Sequence, residues 1–311
     1  MTSLLDLVAP VFGLVVLGFV AVRASVLDTA GVRGLVAFVF NFALPVLLFR
    51  TMAGMEIPER IPWSILVAFY VPALTIYALG MALARWAFRR PTHEQAIYGM
   101  TASFSNTVFL GIPIALPALG PEAALPVFLI IASHSATFMP LTLALVHLGR
   151  GEGISASEQA ASLARSLVKD PIVMGILLGL AANLGSVALP GWLDRLAELL
   201  ATAAMPCALF AMGASLAGSP AGAGGAAPWA LAALKLVAHP LLVWVVAVPI
   251  LGLRGVWADA AVLMAAMPTG VNVYLFAARH DAAAPVAART VLMATVASVA
   301  TISTLLALLG R

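Results

Sequence analysis

Long apolar runs, separated by short polar connections, follow one another along the whole chain. The runs are apolar on every face and lack the period-two alternation of barrel strands, which predicts an all-α protein. About 20 helical residues cross a hydrocarbon core of about 30 Å. The pattern predicts ten transmembrane helices, at residues 6–22, 34–53, 63–84, 95–118, 123–147, 170–189, 196–217, 229–251, 258–278 and 284–309.

The first and second halves of the chain share a sequence pattern. At an offset of 161 residues, the matched positions are Pro10 with Pro171, Gly18 with Gly179, Pro45 with Pro206 and Phe49 with Phe210. This offset indicates a duplicated five-helix unit. Because five is an odd number of spans, the second copy enters the membrane from the opposite face, which predicts the inverted repeat typical of secondary transporters.

The longest polar stretch divides the two copies. We expect a first five-helix repeat over residues 1–149, a cytoplasmic linker over 150–169 and a second five-helix repeat over 170–311. A connection of this length leaves no room for a separate soluble domain.

Composition agrees with a protein that lies in a lipid bilayer. The chain is 63% hydrophobic and 9% charged, with a mean hydropathy of +1.07, whereas soluble domains are about 25% charged. The net charge of +3 does not indicate nucleic acid, because the basic residues lie at the ends of the apolar runs. We therefore expect an integral membrane protein that binds no nucleic acid.

The distribution of basic residues predicts the orientation. If the N-terminus is outside, ten basic residues fall in cytoplasmic loops and five outside; the cytoplasmic set is Arg23, Arg33, Arg85, Arg89, Arg90, Arg150, Arg165, Lys169, Arg279 and Arg289. The positive-inside rule then places both termini outside. The Ala-, Leu-, Gly- and Arg-rich composition and short loops favour a bacterial cytoplasmic (inner) membrane.

Two apolar runs contain helix-breaking residues. An interior proline removes a backbone hydrogen bond and costs about 3 kcal/mol in an ordinary helix. We expect the fourth and ninth helices to be broken, at Gly111, Pro113 and Pro117 and at Pro268 and Gly270. Where two broken helices cross near the midplane, the N-termini of their half-helices favour an anion. The breaks therefore predict a carboxylate site.

Polar side chains accompany both breaks. Asn106 and Asn272 carry amides that donate and accept hydrogen bonds, and Thr107 and Thr269 add hydroxyls. The alternative is that each asparagine only satisfies backbone groups that the neighbouring proline has freed. Tyr274 lies close to the ninth break and would either flank the organic part of a substrate or pack in the interior.

Three ionisable residues lie deep in apolar runs: His134, Lys235 and His239. Lys235 and His239 are four apart and share a helix face. Buried charges usually line polar cavities, so Lys235 is a candidate counter-charge for a carboxylate or a substitute for a bound cation. The alternatives are snorkelling to the interface or bonding to a neighbouring helix.

No carboxylate falls in the middle of a predicted span, which disfavours cation antiport. Sodium binding to backbone carbonyls and proton coupling through histidine both stay open. An intramembrane enzyme is disfavoured, because the sequence has no zinc motif, no paired intramembrane aspartates and no nucleophile elbow. Neither a cofactor nor a metal is expected.

Three segments of the chain form a recognisable combination: Asn41-Phe-Ala-Leu-Pro-Val-Leu-Leu-Phe49, Ser105-Asn-Thr-Val-Phe-Leu-Gly-Ile-Pro113 and Met267-Pro-Thr-Gly-Val-Asn-Val-Tyr-Leu-Phe-Ala-Ala-Arg279. Together they resemble the auxin efflux carrier family, which includes plant PIN transporters and bacterial permeases for malate, malonate and similar carboxylates. The similarity runs the length of the chain, although the large central loop of plant members is replaced by a linker of about 20 residues.

The resemblance implies a ten-helix fold like that of bile acid symporters and sodium–proton antiporters. In such a fold, helices 1, 2, 6 and 7 form a scaffold domain, and helices 3–5 and 8–10 form a transport domain with helices 4 and 9 crossed. By the same likeness, Asn106, Pro113, Pro268 and Asn272 fall at the crossing where family members hold the substrate carboxylate. Asn41, in the first of the three segments, is a further substrate-binding candidate. A homodimer through the scaffold helices is a further implication.

The expected function is a secondary carrier of small organic anions, either mono- or dicarboxylates, working by elevator-like alternating access. The alternatives are a sodium- or proton-coupled symporter of a related family and a transporter-like receptor or channel.

Overall fold

A computed structural model describes residues 4–152, 170–187, 189–217 and 225–310. Within these ranges the protein is all helix and connecting turns, without a β-strand, and a single antiparallel backbone bridge joins Ser105 and Thr269. Of the predicted linker, only residues 150–152 lie within the described ranges, so its extent stays a prediction.

The helices are numbered here in chain order. They are α1 (Leu4–Arg23), α2 (Thr29–Gly54), α3 (Ser64–Trp86), α4 (Thr92–Ser103), α5 (Thr107–Leu119), α6 (Pro121–Gly149), α7 (Pro171–Leu184), α8 (Gly191–Ala217), α9 (Ala226–Ile250), α10 (Val256–Ala266), α11 (Val271–Arg279) and α12 (Ala284–Leu308). Within the described ranges, six helices could each cross a membrane by length and composition: α2, α3, α6, α8, α9 and α12. The apolar segments of α1, α5, α7 and α10 are shorter. Each predicted apolar run coincides with one helix or, in the fourth and ninth runs, with two.

Three prolines inside the helices are accommodated by locally widened turns. Among the described π-helical turns, those at residues 39–43, 107–111 and 234–238 each precede a proline by two residues, at Pro45, Pro113 and Pro240. A proline cannot bond to the carbonyl four residues back and clashes with it, whereas a π turn changes the local hydrogen-bond register. The helices therefore continue through these prolines.

This accommodation shifts the break of the fourth apolar run away from its expected place. Gly111, Pro113 and Pro117 lie inside α5, and the non-helical residues are Phe104–Asn106, at the start of the motif. The ninth run is interrupted at residues 267–270, which include Pro268 and Gly270.

Helices α1, α2, α7 and α8 pack together through close backbone contacts. Gly18 of α1 lies against the backbone of Phe210 in α8, and Gly179 of α7 lies against that of Phe49 in α2, so closely that a Cβ at either glycine would overlap it. Gly18 and Phe49 are the positions that recur as Gly179 and Phe210. The two contacts are therefore reciprocal, as copies related by a two-fold axis would make them.

The ends of these helices are joined by polar contacts. The side-chain amide of Asn183 in α7 donates hydrogen bonds to the carbonyls of Met52, Ala53 and Met55 at 3.0, 3.0 and 2.7 Å. It thereby satisfies carbonyls that the end of α2 leaves without intrahelical partners.

The remaining helices form a second packed group. α3 packs on α4, α9 on α10 and α12, and α11 on α12, while α6 packs on α4 and α10. Gly80 and Gly99 bring α3 and α4 together, because a Cβ at Gly80 would lie 2.9 Å from the carbonyl oxygen of Tyr98. The two interrupted segments lie inside this group and face α2 and α8.

Candidate functional site

The two helix breaks lie side by side and run antiparallel. The backbone N–H of Asn106 donates to the carbonyl of Pro268 at 2.8 Å, and that of Gly270 donates to the carbonyl of Phe104 at 3.1 Å. These reciprocal bonds surround the bridge between Ser105 and Thr269. Each break therefore supplies hydrogen-bond partners that the other has lost by leaving the helical conformation.

Side chains of the protein bond the carbonyl ends of the half-helices that lead into the breaks. The hydroxyl of Thr269 donates to the carbonyl of Thr101 in α4 at 2.8 Å, and Lys235 Nζ donates to the carbonyl of Ala265 in α10 at 2.5 Å. Protein donors therefore already bond these negative ends.

The positive ends of the half-helices that leave the breaks, α5 and α11, begin at Thr107 and Val271 and border a small cavity of about 20 Å³. The cavity is lined by Phe40, Phe104, Ser105, Asn106, Thr107, Val108, Phe109, Ser135, Gly270, Val271 and Asn272. Such a volume holds about one water molecule. The hydroxyl of Ser105 is buried here without a hydrogen-bond partner among the described residues.

A larger cavity of about 410 Å³ adjoins the small one, since Phe40, Phe109, Val271 and Asn272 line both. It extends between the two helix groups toward the end of α1 and the start of α2. Its other lining residues are Val22, Thr29, Val32, Arg33, Val36, Ala37, Asn41, Ala214, Ser215, Tyr274 and Leu275. Among the described residues that line it, Arg33 is the one basic side chain.

The structure gathers part of the predicted site around these cavities. Asn106, Thr107, Gly270 and Asn272 line the small cavity, and Asn41, Asn272 and Tyr274 line the larger one. Pro268 and Thr269 are buried in the backbone bridge. The linings of both cavities omit Gly111, Pro113 and Pro117.

The three buried ionisable residues, His134, Lys235 and His239, lie next to the helix breaks and contact them or one another. Lys235 Nζ lies 3.1 Å from His239 Nδ1, and His134 Nε2 accepts the backbone N–H of Ser105 at 3.0 Å. The Phe69 ring packs against both imidazoles, with centroid separations of 5.7 Å. Neither cavity is lined by these three residues. Their role as charge partners of a substrate stays a prediction.

Several residues at the cavities were not in the predicted site. Ser105 lay beside Asn106 in the quoted motif, but a serine next to an asparagine carries little sequence signal. Arg33 and Ser135 had no motif that marked them. Met212 of α8 lies with its sulfur 3.4 Å from Asn106 Nδ2, a contact between distant segments that no local pattern encodes.

Negative charge is absent from the described interior. Among the side chains that the structure describes, no Asp or Glu is buried, whereas Lys235, His134 and His239 are. The same part of the chain holds no group of three or more His, Cys, Asp or Glu side chains that could bind a metal ion.

Comparison with known proteins gives matches over nearly the whole chain. Residues 3–306 match the family model described as "Membrane transport protein". A "Putative malonate transporter" of Rhizobium meliloti (strain 1021) is 31% identical over 313 residues, which covers 99% of this chain and 97% of that protein. An "Uncharacterized transporter" of Methanothermobacter thermautotrophicus is 26% identical over 94% of both chains. The mouse "Lysosomal cholesterol signaling protein" is 23% identical over 70% of this chain and 26% of its own length.

Proposed function

The chain belongs to the membrane transport protein family and is an integral membrane transporter rather than an enzyme, and from this premise we propose that it carries small carboxylates across the membrane. The family match confirms the resemblance to the auxin efflux carriers. A relative named for malonate supports dicarboxylates as the substrate class.

One observation carries the proposal: the N-terminal ends of α5 and α11 border the small cavity together with the amide of Asn106 and the buried hydroxyl of Ser105, which has no hydrogen-bond partner in the described part of the chain. Helix N-termini present free N–H groups and partial positive charge, which favour anions. The opposing carbonyl ends at Thr101 and Ala265 already accept hydrogen bonds from Thr269 and Lys235. The groups left for a ligand are therefore mainly donors, which suits a carboxylate.

The larger cavity supports a small substrate with a short apolar part. Near the breaks it is lined by Phe40 and Phe109, whose rings pack edge to face with centroids 5.0 Å apart, and by Asn272 and Tyr274. We propose that one carboxylate binds at the breaks, that the carbon chain packs against these two rings, and that Asn41 and Asn272 contact the polar groups beyond it.

We propose the inverted ten-helix topology with both termini outside, in the cytoplasmic membrane of a bacterium. The reciprocal contacts Gly18–Phe210 and Gly179–Phe49 support the duplication. In this orientation the larger cavity extends toward the cytoplasmic side, where Arg33 lies. This conformation is then inward-facing.

Alternating access would follow from the two packed groups. We propose that α1, α2, α7 and α8 form the scaffold and that α3–α6 and α9–α12 move against it as the transport domain. The larger cavity supports this division, because α1, α2 and α8 line one side of it and α5 and α11 the other. A homodimer through the scaffold remains part of the proposal.

The contacts of Lys235 favour transport without a coupling sodium ion. Its Nζ donates a hydrogen bond to the carbonyl of Ala265, a type of backbone oxygen that binds sodium at broken helices in other transporters. A carrier of this kind would work by facilitated exchange, and the flux in proteoliposomes would be the same with and without a sodium gradient. A sodium-dependent flux would favour the symporter alternative.

Counterflow of radiolabelled malonate in proteoliposomes tests the proposal, together with thermal-shift titrations of mono- and dicarboxylates. Asn106→Ala and Asn272→Ala should each abolish the ligand-induced rise in Tm and the saturable flux. Asn183→Ala is the matched control. It removes the hydrogen bonds to the carbonyls at the end of α2, so it should lower the Tm of the free protein and leave the KM for malonate unchanged. Retained malonate binding in both site variants would contradict this location of the site.

A further inference from the structure

Within the described part of the chain, the side chain of Asn106 donates one hydrogen bond, and its acceptor is Met212. Asn106 Nδ2 lies 3.4 Å from Met212 Sδ, and the methionine is fully buried. Asn106 precedes α5 and lines the small cavity, whereas Met212 lies in α8, in the other packed group. The contact therefore joins the candidate binding amide to the helices that would form the scaffold.

A thioether is an unusual partner for this amide. Methionine sulfur is a weak acceptor, while the asparagine NH₂ group has two donors that gain most from carbonyl or carboxylate oxygens. A buried donor without a partner is costly, so the sulfur gives Asn106 a weak bond in the unloaded site. A carboxylate offers a stronger bond and would displace it.

We infer that Met212 is a positioning residue for substrate: its sulfur holds the Asn106 amide while the site is empty and releases it to the substrate carboxylate, which sets the apparent affinity. This inference rests on the proposed function and deepens it. A carboxylate that accepts the N–H now directed at the sulfur must first break that bond, so the strength of the bond is subtracted from the binding free energy.

Two substitutions at residue 212 should then change the affinity for the substrate in opposite directions. Leucine fills a similar volume without an acceptor, so it leaves the Asn106 donor unsatisfied in the free protein and strengthens binding. Glutamine places an amide oxygen near Asn106, competes with the carboxylate and weakens binding. A methionine that served only to fill space would give no such ordering, because leucine and methionine are close in volume.

The test measures malonate binding by thermal shift and counterflow kinetics for the wild type, Met212→Leu and Met212→Gln. We expect Met212→Leu to lower the malonate Kd and KM about threefold and Met212→Gln to raise them about threefold, the size of one weak hydrogen bond. The maximal rate should change less than KM in both. Met52→Leu is the matched control, since Met52 is a buried methionine of α2 that packs on Gly179 rather than at the breaks, and its KM should not change.

The outcomes separate the two proposals. If malonate stabilises the wild type and the Kd values of Met212→Leu and wild type are equal, the inference about Met212 is overturned while the proposed function stands. The leucine variant alone decides this point should the glutamine variant fail to fold. A wild type that no carboxylate stabilises overturns the proposed function and the inference together.

Discussion

The backbone N–H of Asn106 donates a hydrogen bond of 2.8 Å to the carbonyl of Pro268, so two chain segments far apart in sequence share one strip of antiparallel backbone. A reciprocal bond runs from Gly270 to Phe104. This strip fixes the positions of the N-termini of α5 and α11. The geometry of the proposed anion site therefore depends on it.

Gly270 tests the importance of this strip. A Cβ at Gly270 would lie 3.0 Å from the ring of Phe104, and that ring has little freedom because it packs on His134 with centroids 4.4 Å apart. We expect Gly270→Val to separate the breaks, lower the Tm and abolish the malonate-induced shift. In the control Gly13→Val, a Cβ meets nothing within 4 Å, so Tm and shift should be retained. A Gly270→Val protein with the wild-type ligand shift would show that the site tolerates separation of the breaks.

A substitution at Lys235 tests whether this residue stabilises the helix breaks or binds the substrate. Lys235→Met keeps the length of the side chain but removes the donor to Ala265 and the contact with His239 Nδ1. Because a buried carbonyl then loses its partner, we expect a destabilisation of about 1–3 kcal/mol, measured as a fall in Tm. The malonate KM of the remaining folded protein should stay near the wild-type value. An unchanged Tm with loss of malonate binding would instead make Lys235 a counter-charge of the substrate.

The extent of the helices could be predicted from the sequence, because apolar length alone decides which segments can lie in a bilayer. The break in the fourth run could not be placed. Pro113 is a conspicuous helix breaker, yet the π turn at 107–111 accommodates it, and the chain leaves the helix at Phe104–Asn106 instead. What holds that break open is the pairing with Pro268 and Gly270, a tertiary contact without a local signature.

The same limit applies to the site. Asn106 and Asn272 stood out as amides beside the predicted breaks, and both line the small cavity. Their surroundings were beyond prediction, since the sulfur of Met212 and the imidazole of His134 come from other helices. Sequence periodicity gives the face of a helix but not the partner across from it.

Arg33 is expected to draw anions toward the larger cavity. It lines the cavity in the first turns of α2, and it forms no ion pair with any described residue. A positive charge at the mouth raises the local concentration of an anion, and salt screens the effect, with Debye lengths of about 30 Å at 0.01 M and about 3 Å at 1 M. We expect Arg33→Gln to raise the malonate KM about threefold at low salt and hardly at all at high salt. Arg33→Lys, which keeps the charge, should behave like the wild type at both.

His280 makes stability depend on pH at the end of the molecule where α6 and α11 finish. Its imidazole lies against the Phe276 ring at 4.4 Å, and Arg150 donates to its backbone carbonyl. Burial, and then the positive charges of Arg279, His147 and Arg150, lower the pKa of His280 below its ordinary value. The folded protein therefore binds a proton at this site less readily than the unfolded chain does.

The sign of the pH effect follows from that difference. Well above pH 6.5, the ordinary pKa of histidine, the imidazole is neutral in both states and its contribution to stability is fully present. As the pH falls below about 6.5, the unfolded chain takes up the proton first, and this contribution is lost until the folded pKa is passed. We expect the Tm of the wild type to fall over this range and that of His280→Gln to fall less, measured in buffers of constant ionic strength. Equal slopes for the two proteins would remove His280 as the cause.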